Sequence, residues 1–351
     1  MFIAEHSDSP VIIVGDIDRG GVFAWMKGTY DLLTLQEKKR VKGFIINKFR
    51  GDIELLAPGI KQFEGLVPKP VLGVIPYEKN LVVDEEDSIS KWSYSTEPGA
   101  EGILNVAVIW TPRVSNFTDI SPLAYDPSVS LSYINHTSQL NNPDLIILPG
   151  SKNTIEDLIY LKEQKILEKV LKCHSDGSLI LGICGGFQML GNFIRDPKNL
   201  ESRINECAGL GLFDMDTIFA SDKLTRQIEL KTVKSRLFKE GIKCGGYEIH
   251  MGRTNFKSNY PSLFSRIKDE NPMNFGITNK NGTVIGTYLH GFLNNNSLRQ
   301  DLLSYIRLAR NIDNPVKHFN FDQFKQDELD RLCNLLTESI KMNEVSDLIG
   351  I

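Results

Sequence analysis

The sequence lacks several features that would by themselves define a class of protein. It has five cysteines, an odd number, and no Cys-x-x-Cys pair. This argues against a disulfide framework or a zinc site and for a reducing compartment. No apolar run is long enough to span a membrane. Polar residues stand at Glu5, His6 and Asp8, where a signal peptide needs an apolar segment. We therefore expect a cytoplasmic protein.

The sequence also lacks a large excess of positive or negative charge. The formal net charge is −4 over 351 residues, so no extended basic field is available to attract nucleic acid or an acidic membrane surface. Hydrophobic residues make up 41% and charged residues 24% of the chain, which is an ordinary globular mixture. Internal repeats and low-complexity tracts are absent. The length predicts two or three domains.

The beginning of the chain alternates between apolar strands and helical segments. Val11-Ile-Ile-Val-Gly15, Gly43-Phe-Ile-Ile46 and Pro70-Val-Leu-Gly-Val-Ile75 are short apolar runs typical of a parallel sheet covered on both faces. Three strands with crossover helices predict half of a doubly wound sheet. Asp16, Asp18 and Arg19 follow the first strand at the edge where such sheets bind ligands, although a plain surface turn fits them equally well.

A phosphate-binding loop is the most notable absence. No Gly-x-x-x-x-Gly-Lys-[Ser/Thr] motif occurs anywhere in the chain. Lys152-Asn-Thr154 follows Gly150-Ser151 without the required spacing. Acidic side chains at the first strand could hold a magnesium ion or a cationic group, but nothing in the sequence is predicted to hold the phosphates.

The most informative stretch is Ser178-Leu-Ile-Leu-Gly-Ile-Cys-Gly-Gly-Phe-Gln-Met-Leu-Gly191. Its apolar start predicts a buried strand, two glycines follow Cys184 directly, and Phe187 begins a helical pattern. A strand, a tight turn with a nucleophile and a helix form a nucleophile elbow. The N–H groups at the helix start favour the thiolate. Taken alone, a cysteine before a glycine turn fits a buried core residue equally well.

Composition divides the chain into four parts. Residues 1–80 form the partial sheet, and the polar residues 81–102, with the acidic run Asp84-Glu-Glu-Asp87, predict a linker. Residues 103–300 contain a second set of strands and the Cys184 elbow, and residues 301–351 form a helical C-terminal extension. The fold class is α/β, with a partial doubly wound parallel sheet followed by a second α/β domain and C-terminal helices.

The order of motifs in the second domain resembles that of class I glutamine amidotransferases. The family pattern Gly-x-Cys-x-Gly-x-Gln stands here as Gly182-Ile-Cys184-Gly-Gly186-Phe-Gln188, with Pro149-Gly150 before it and His290 after it. This implies a flavodoxin-like amidotransferase domain. Longer motifs are similar to the cobyric acid synthase family, the glutamine-dependent enzymes of cobalamin synthesis. They are Asp16-Ile-Asp-Arg-Gly-Gly-Val-Phe-Ala24, Phe44-Ile-Ile-Asn-Lys-Phe-Arg-Gly-Asp52, Leu148-Pro-Gly-Ser-Lys-Asn-Thr154, Gly246-Tyr-Glu-Ile-His-Met-Gly-Arg-Thr254 and Gly286-Thr-Tyr-Leu-His-Gly291.

The resemblance implies an acyl-transfer site. Cys184 would attack the side-chain amide of glutamine to form a glutamyl thioester, and His290 would pass the thiol proton to leaving ammonia. The oxyanion and the bound glutamine are assigned to four further residues: Gly150, Ser151, Gly185 and Gln188. Amidotransferases usually carry a third residue, a Glu two positions after the histidine, but Phe292 stands there. The candidate to orient His290 is Glu248, which could instead face solvent or bind substrate.

The resemblance also implies an ATP-dependent ligase reaction. ATP, with Mg²⁺, would activate the b, d, e and g carboxylates of adenosylcobyrinic acid a,c-diamide as acyl phosphates, and ammonia would convert them to amides. Asp16, Asp18, Arg19 and Asn47 are assigned to the ATP or corrin side, with Asn47 at the position where related synthetases recognise adenine. No resident metal and no permanent cofactor are expected.

Three interpretations stay open at this point. The family's enzymes begin with a phosphate loop, whereas Met1 stands shortly before the first strand here. The chain is therefore a whole or partial synthetase, a glutaminase subunit that needs a second chain for the phosphate-loop half, or a non-catalytic remnant. Retention of Cys184, Gln188 and His290 argues against the remnant. An uncovered half-sheet predicts association with a partner.

Overall fold

The computed structural model describes residues 1–79, 81–82, 103–267, 275–313 and 318–350. The described residues form two compact units. One contains the residues up to Val82 together with those from Gln323 onward, and the other contains those from Ile103 to Asp322. No helix in the described ranges is long and apolar enough to cross a membrane.

The first unit is built around three parallel strands in the order β1-β2-β3. Its leading elements are α1 (Phe2–His6), β1 (Val11–Asp16), α2 (Val22–Leu32), α3 (Leu35–Arg40), β2 (Val41–Phe49), α4 (Ile53–Leu66) and β3 (Val71–Pro76). Met26, Phe44 and Phe63 are buried in its core. This confirms the predicted partial parallel sheet. Pro58 lies inside α4 and does not end it.

The described part of the second unit contains sheets of six, five and two strands together with helices. Its strands are β4 (Leu104–Ile109), β5 (Val114–Ser115), β6 (Val129–Ile134), β7 (Leu145–Leu148), β8 (Gly150–Ser151), β9 (Leu179–Ile183), β10 (Phe193–Arg195), β11 (Glu206–Ala208), β12 (Met215–Thr232), β13 (Lys243–Phe256), β14 (Phe264–Arg266), β15 (Gly276–Thr278) and β16 (Val284–Thr287). Its helices are α5 (Ser121–Ala124), α6 (Thr154–Glu163), α7 (Ile166–Ser175), α8 (Gly185–Met189) and α9 (Asn296–Ala309), with 3₁₀ turns at Phe117–Asp119, Thr137–Gln139 and Phe292–Asn294.

The central sheet of the second unit has the strand order β15-β16-β9-β7-β4-β6. All neighbours in it are parallel except β15, which pairs antiparallel with β16. If the five parallel strands are numbered along the chain, their spatial order is 2-1-3-4-5, the order of flavodoxin-like folds. Ligands bind outside the carboxyl ends of the strands in such sheets, so the loops after β4, β7, β9 and β16 converge on one edge.

A second sheet brings a long hairpin to that edge. Its order is β11-β10-β12-β13, with β14 also paired to β12. Strands β12 and β13 are antiparallel over most of their length, and their register shifts between Phe219 and Leu224. The hairpin is pinned to the central sheet because Tyr247 of β13 forms an isolated antiparallel bridge with His290.

The C-terminal residues are divided differently from the prediction. Residues 301–351 do not form a separate extension, because the apolar stripe of α9 is buried in the core of the second unit through Leu298, Leu302, Leu303 and Ile306. Helices α10 (Phe321–Ser339) and α11 (Met342–Ile349) follow, and residues from Gln323 onward belong to the first unit. There, Ile340 forms a β-bridge with Gly73. The predicted linker lies outside the described residues except at its first part, Leu81 and Val82.

Two helices follow β8 in close succession. Helix α6 ends at Glu163 and α7 begins at Ile166. Lys165 between them has a φ of 57°, in the left-handed region, which interrupts the helix. At the start of α6, Asn153 is the N-cap, because its side chain accepts a hydrogen bond from the N–H of Glu156.

Candidate active site

Cys184 occupies the sharp turn between β9 and α8, as the sequence predicted. All five residues of β9 are buried, and Cys184 itself has φ 51° and ψ −106°, a strained conformation for a residue with a side chain. The turn leaves no room behind the cysteine. A side chain at Gly186 would collide with the backbone carbonyl of Leu148 on the neighbouring strand. Gly186 is therefore required for the elbow to seat against the sheet.

His290 lies beyond the carboxyl end of β16 and is almost fully buried, with 1% of its surface exposed. Its Nδ1 lies 2.6 Å from Oδ2 of Asp119, and the N–H of Gly291 donates to the other carboxylate oxygen at 2.8 Å. The carboxylate accepts the Nδ1–H, so Nε2 is the ring nitrogen left for Cys184, which lines the same cavity as His290. Cys184, His290 and Asp119 thus form a triad.

Electrostatics favour a protonated His290. Burial disfavours the imidazolium, but the hydrogen bonds to Asp119 and Cys184 outweigh it and raise the pKa of His290 to about 10. The ring is also fixed from its faces and edges. The side chain of Tyr247 stacks on it with 4.9 Å between ring centroids, and the amide nitrogen of Asn116 lies 3.0 Å from Nδ1.

The third member of the triad is not the residue that the sequence suggested. The side chain of Glu248 contacts His250 and Arg226 at 2.6 and 2.7 Å, and it does not orient His290. The reason is the alternation of side chains along β13. Tyr247 faces His290, so the side chain of the next residue, Glu248, points to the opposite face of the strand. Asp119 was missed because it stands in a polar loop with no fixed spacing from the histidine.

A cavity of about 560 Å³ opens in front of the triad cysteine and histidine. Of the residues assigned from the sequence, Cys184, His290, Gln188 and Ser151 line it together. The other two residues assigned to glutamine or the oxyanion, Gly150 and Gly185, are adjacent to residues of this lining. A Cβ added to Gly150 would lie 3.7 Å from the imidazole of His290, and a Cβ added to Gly185 would lie 3.0 Å from the backbone nitrogen of Ser151.

The loop carrying Gly150 and Ser151 is held by a buried carboxylate. Oδ2 of Asp157, which is fully buried, accepts hydrogen bonds from the hydroxyls of Ser151 at 2.6 Å and Thr111 at 2.7 Å. The N–H of Gly185 belongs to the first turn of α8, where N–H groups have no partner within the helix. This places backbone donors from two rigid segments beside the cysteine.

The cavity lining also carries charged groups that were not predicted from the sequence. Glu201 and Lys223 both line the cavity, and a carboxylate oxygen of Glu201 accepts from the N–H of Thr154 at 3.3 Å. Burial raises the pKa of Glu201 to about 7, against the lowering effect of that hydrogen bond. Asp196 holds this loop by accepting from the N–H groups of Leu200, Glu201 and Ser202.

In the first unit, the residues assigned to ATP or corrin meet at the carboxyl ends of β1 and β2. Asp16 pairs with Lys48 at 2.7 Å, and Asp18 pairs with Arg50 at 2.8 Å. Hydrogen bonding to Lys48 lowers the pKa of Asp16. The side chain of Asn47 accepts from the N–H of Lys48, and Arg19 is exposed. The cluster combines acidic and basic groups, of which Lys48 and Arg50 were not predicted from the sequence.

Comparison with known protein families agrees with this geometry. Residues 105–298 match the CobB/CobQ-like glutamine amidotransferase domain, and residues 3–89 match the CobQ/CobB/MinD/ParA nucleotide-binding domain. The second unit is therefore a glutamine amidotransferase domain, and the amino-terminal part of the first unit is similar to a nucleotide-binding family.

Comparison with curated relatives identifies the family of the whole chain. Proteins named cobyric acid synthase from Clostridium kluyveri and Alkaliphilus metalliredigens are 41% and 42% identical to this chain. The alignments cover 100% and 99% of this chain, and 69% and 71% of the relatives. The chain belongs to the cobyric acid synthase family, whose members are glutamine-dependent amidoligases of cobalamin synthesis. Among solved structures, PurLQS from Thermotoga maritima matches 58% of this chain and 99% of its own at 21% identity, with a TM-score of 0.45.

Proposed function

We propose that this chain hydrolyses glutamine at Cys184 and supplies the ammonia for the ATP-dependent amidation of a corrin. The observation that carries the proposal is the triad: a strained elbow cysteine beside a buried histidine whose other nitrogen is held by Asp119. A buried carboxylate–imidazole pair costs free energy when it merely stabilises a fold. Here it leaves one imidazole nitrogen directed at a nucleophile, which is the requirement of acyl transfer.

The reaction begins from an ion pair. His290, whose pKa is raised, holds the thiol proton at Nε2 as an imidazolium that Asp119 stabilises through Nδ1, and Cys184 is left as the thiolate. The thiolate of Cys184 attacks the carbonyl carbon of the glutamine side chain. The C–N bond then breaks, and His290 delivers the proton to the leaving ammonia. Water attacks the thioester in the second half-reaction, with His290 as base, and releases glutamate.

The negative charge on the substrate oxygen has donors available. The N–H groups of Gly185 and of the Gly150–Ser151 segment lie beside the cysteine, and Asp157 fixes that segment by accepting from Ser151. Donors that are fixed before the reaction need no reorganisation when charge develops on the oxygen. Gln188 lines the cavity and holds its amide against Thr154 and the backbone of Gly252, where it can contact the bound glutamine.

The first unit is proposed to contribute part of the ATP and corrin site. Mg²⁺ bound to ATP is held in proteins by one or two carboxylates together with the phosphates. Asp16 and Asp18 fit this requirement, and their partners Lys48 and Arg50 can turn to the phosphate charges. The chemistry supplied by ATP is activation of corrin carboxylates as acyl phosphates. The substrate would be adenosylcobyrinic acid a,c-diamide, amidated at the b, d, e and g side chains.

A glutaminase that feeds a separate ligase is the second candidate, because the sequence contains no phosphate-loop motif. The comparisons lend no support to a separate second chain. The cytoplasmic location stays a prediction based on cysteine content.

The test is glutamine hydrolysis by the purified chain, with and without ATP and the corrin diamide, beside Cys184→Ala. We expect ammonia release that disappears in the variant. Corrin amide formation in the complete mixture supports the synthetase, whereas hydrolysis without amide formation supports the glutaminase. Glutaminase activity that persists in Cys184→Ala refutes the assignment of the nucleophile.

A further inference from the structure

One short segment of β13 contacts all three groups on which glutamine hydrolysis would depend. Tyr247 stacks on the imidazole of His290 and exchanges two backbone hydrogen bonds with it, at 2.9 and 3.2 Å. The carbonyl oxygen of Ile249 lies 3.5 Å from the sulfur of Cys184. A Cβ placed on Gly252 would lie 2.5 Å from the amide nitrogen of Gln188, so the bare backbone packs directly on that amide. The position of this segment therefore sets the position of the base, the nucleophile and the glutamine contact.

A chain of ionic hydrogen bonds links alternate residues of the same segment, one of which, His250, also lines the cavity. Nε of Arg226, on β12, donates to Glu248 at 2.7 Å, and the second carboxylate oxygen lies 2.6 Å from Nε2 of His250. Nδ1 of His250 then lies 2.7 Å from the carbonyl oxygen of Gly252. Glu248 and His250 are buried, with 5% and 9% exposure. The ring of His250 also stacks on Tyr288, with 4.1 Å between centroids.

Both ring nitrogens of His250 face acceptors. The oxygen of Gly252 can only accept, and although burial raises the pKa of the Glu248 carboxyl, contacts with His250 and Arg226 outweigh it and lower that pKa. The ring of His250 therefore bridges Glu248 and Gly252 and sets the spacing between them.

We propose that Glu248 and His250 are positioning residues for glutamine hydrolysis, which hold segment 247–252 against Cys184, His290 and Gln188. This role rests on the proposed function at Cys184. It is a role in aligning groups that other residues supply, since both nitrogens of His250 are already engaged and neither is free to act as a base on substrate.

Three variants separate positioning from simple stabilisation. His250→Phe keeps a ring that can stack on Tyr288 but removes both ring nitrogens. Arg226→Met removes one partner of Glu248 from a side chain that is 36% exposed, so it is the milder change and decides the question if His250→Phe fails to fold. Asp216→Asn is the matched control. It alters another buried, doubly ion-paired carboxylate on β12, bound to Arg195 at 2.9 Å and Lys257 at 2.8 Å, that is absent from the cavity lining.

Each variant is measured for kcat and KM with glutamine, for the rate of Cys184 alkylation by iodoacetamide, and for melting temperature. A misplacement of about 1 Å can cost about 100-fold in rate. We expect His250→Phe to lower kcat/KM by about this factor, with kcat reduced and KM raised, well below its melting temperature. Alkylation should change as well, whereas Asp216→Asn should change only the melting temperature.

The outcomes distinguish this inference from the function on which it rests. If His250→Phe and Arg226→Met melt earlier but keep the wild-type kcat, KM and alkylation rate, the residues are merely structural and the inference is wrong. If the wild-type chain does not hydrolyse glutamine at all, the proposed function fails. The alkylation rates then still report whether the segment positions Cys184.

Discussion

Replacement of Asp119 by asparagine tests the triad most directly. The new side chain has the same size and can still accept from the N–H of Gly291. Its amide N–H₂ would, however, face Nδ1 of His290, where the native carboxylate accepts a hydrogen bond of 2.6 Å. The imidazole would then be stabilised with its proton on Nε2. That tautomer cannot accept the proton of the Cys184 thiol.

The size of the effect follows from the lost interaction. A hydrogen bond to a charged group contributes about 1.5–3 kcal/mol, and each 1.36 kcal/mol of barrier corresponds to about tenfold in rate. We therefore expect Asp119→Asn to lower kcat/KM for glutamine by roughly 10- to 150-fold. The pKa of His290 should also fall, since Asp119 is one of the two groups that raise it.

The assay is ammonia release across a pH series, together with NMR titration of His290 and a melting curve to confirm folding. Asp216→Asn, the buried carboxylate outside the cavity, provides the control. A folded Asp119→Asn protein with the wild-type kcat/KM would refute the role of Asp119, and an unchanged pKa of His290 would refute its electrostatic basis.

Three further predictions address the elbow, the cavity wall and the first unit. Gly186→Ala should lower the melting temperature and abolish activity, because its methyl group meets the Leu148 carbonyl and overpacking costs about 1–3 kcal/mol; wild-type melting would contradict the close packing. Glu201 has its pKa raised from 4.5 to about 7, so the folded state binds its proton more tightly and wild-type stability should decline relative to Glu201→Gln as pH rises across that window; parallel pH–stability curves would refute this. Asp16→Asn should weaken Mg–ATP binding by about tenfold or more in calorimetry, since contacts to charged groups contribute about 1.5–3 kcal/mol, yet leave ATP-independent glutamine hydrolysis unchanged; equal ATP affinity would remove Asp16 from the nucleotide site.

The part of the site that could be predicted from sequence is the part encoded locally. A buried strand, a cysteine and two glycines specify the elbow within a few residues, because sterics around Cys184 allow little else. The alternation of apolar strands and helices likewise predicted both parallel sheets.

Long-range partners could not be predicted in the same way. Asp119 and His290 are 171 positions apart in the chain, and only the convergence of the loops after β4 and β16 brings them together. Glu248 was the wrong choice of residue to orient His290. The alternation of side chains along a strand can be predicted from the sequence, but the pairing of Tyr247 with His290 cannot. The left-handed backbone conformation at Lys165 could not be predicted either, because this position is not a glycine.

The return of the C-terminal residues to the first unit has a consequence for biosynthesis. The N–H of Lys341 donates to the carbonyl of Leu72, and Glu328 accepts from the N–H of Val82. These contacts cover the edge of β3. The residues on the two sides of each contact are synthesised at different times, because the whole amidotransferase unit is translated between them. The amidotransferase unit can complete its own core on emergence. The amino-terminal unit, although translated first, must wait for the last residues of the chain, so a premature stop after Asp322 would harm the earlier-made unit more than the later one.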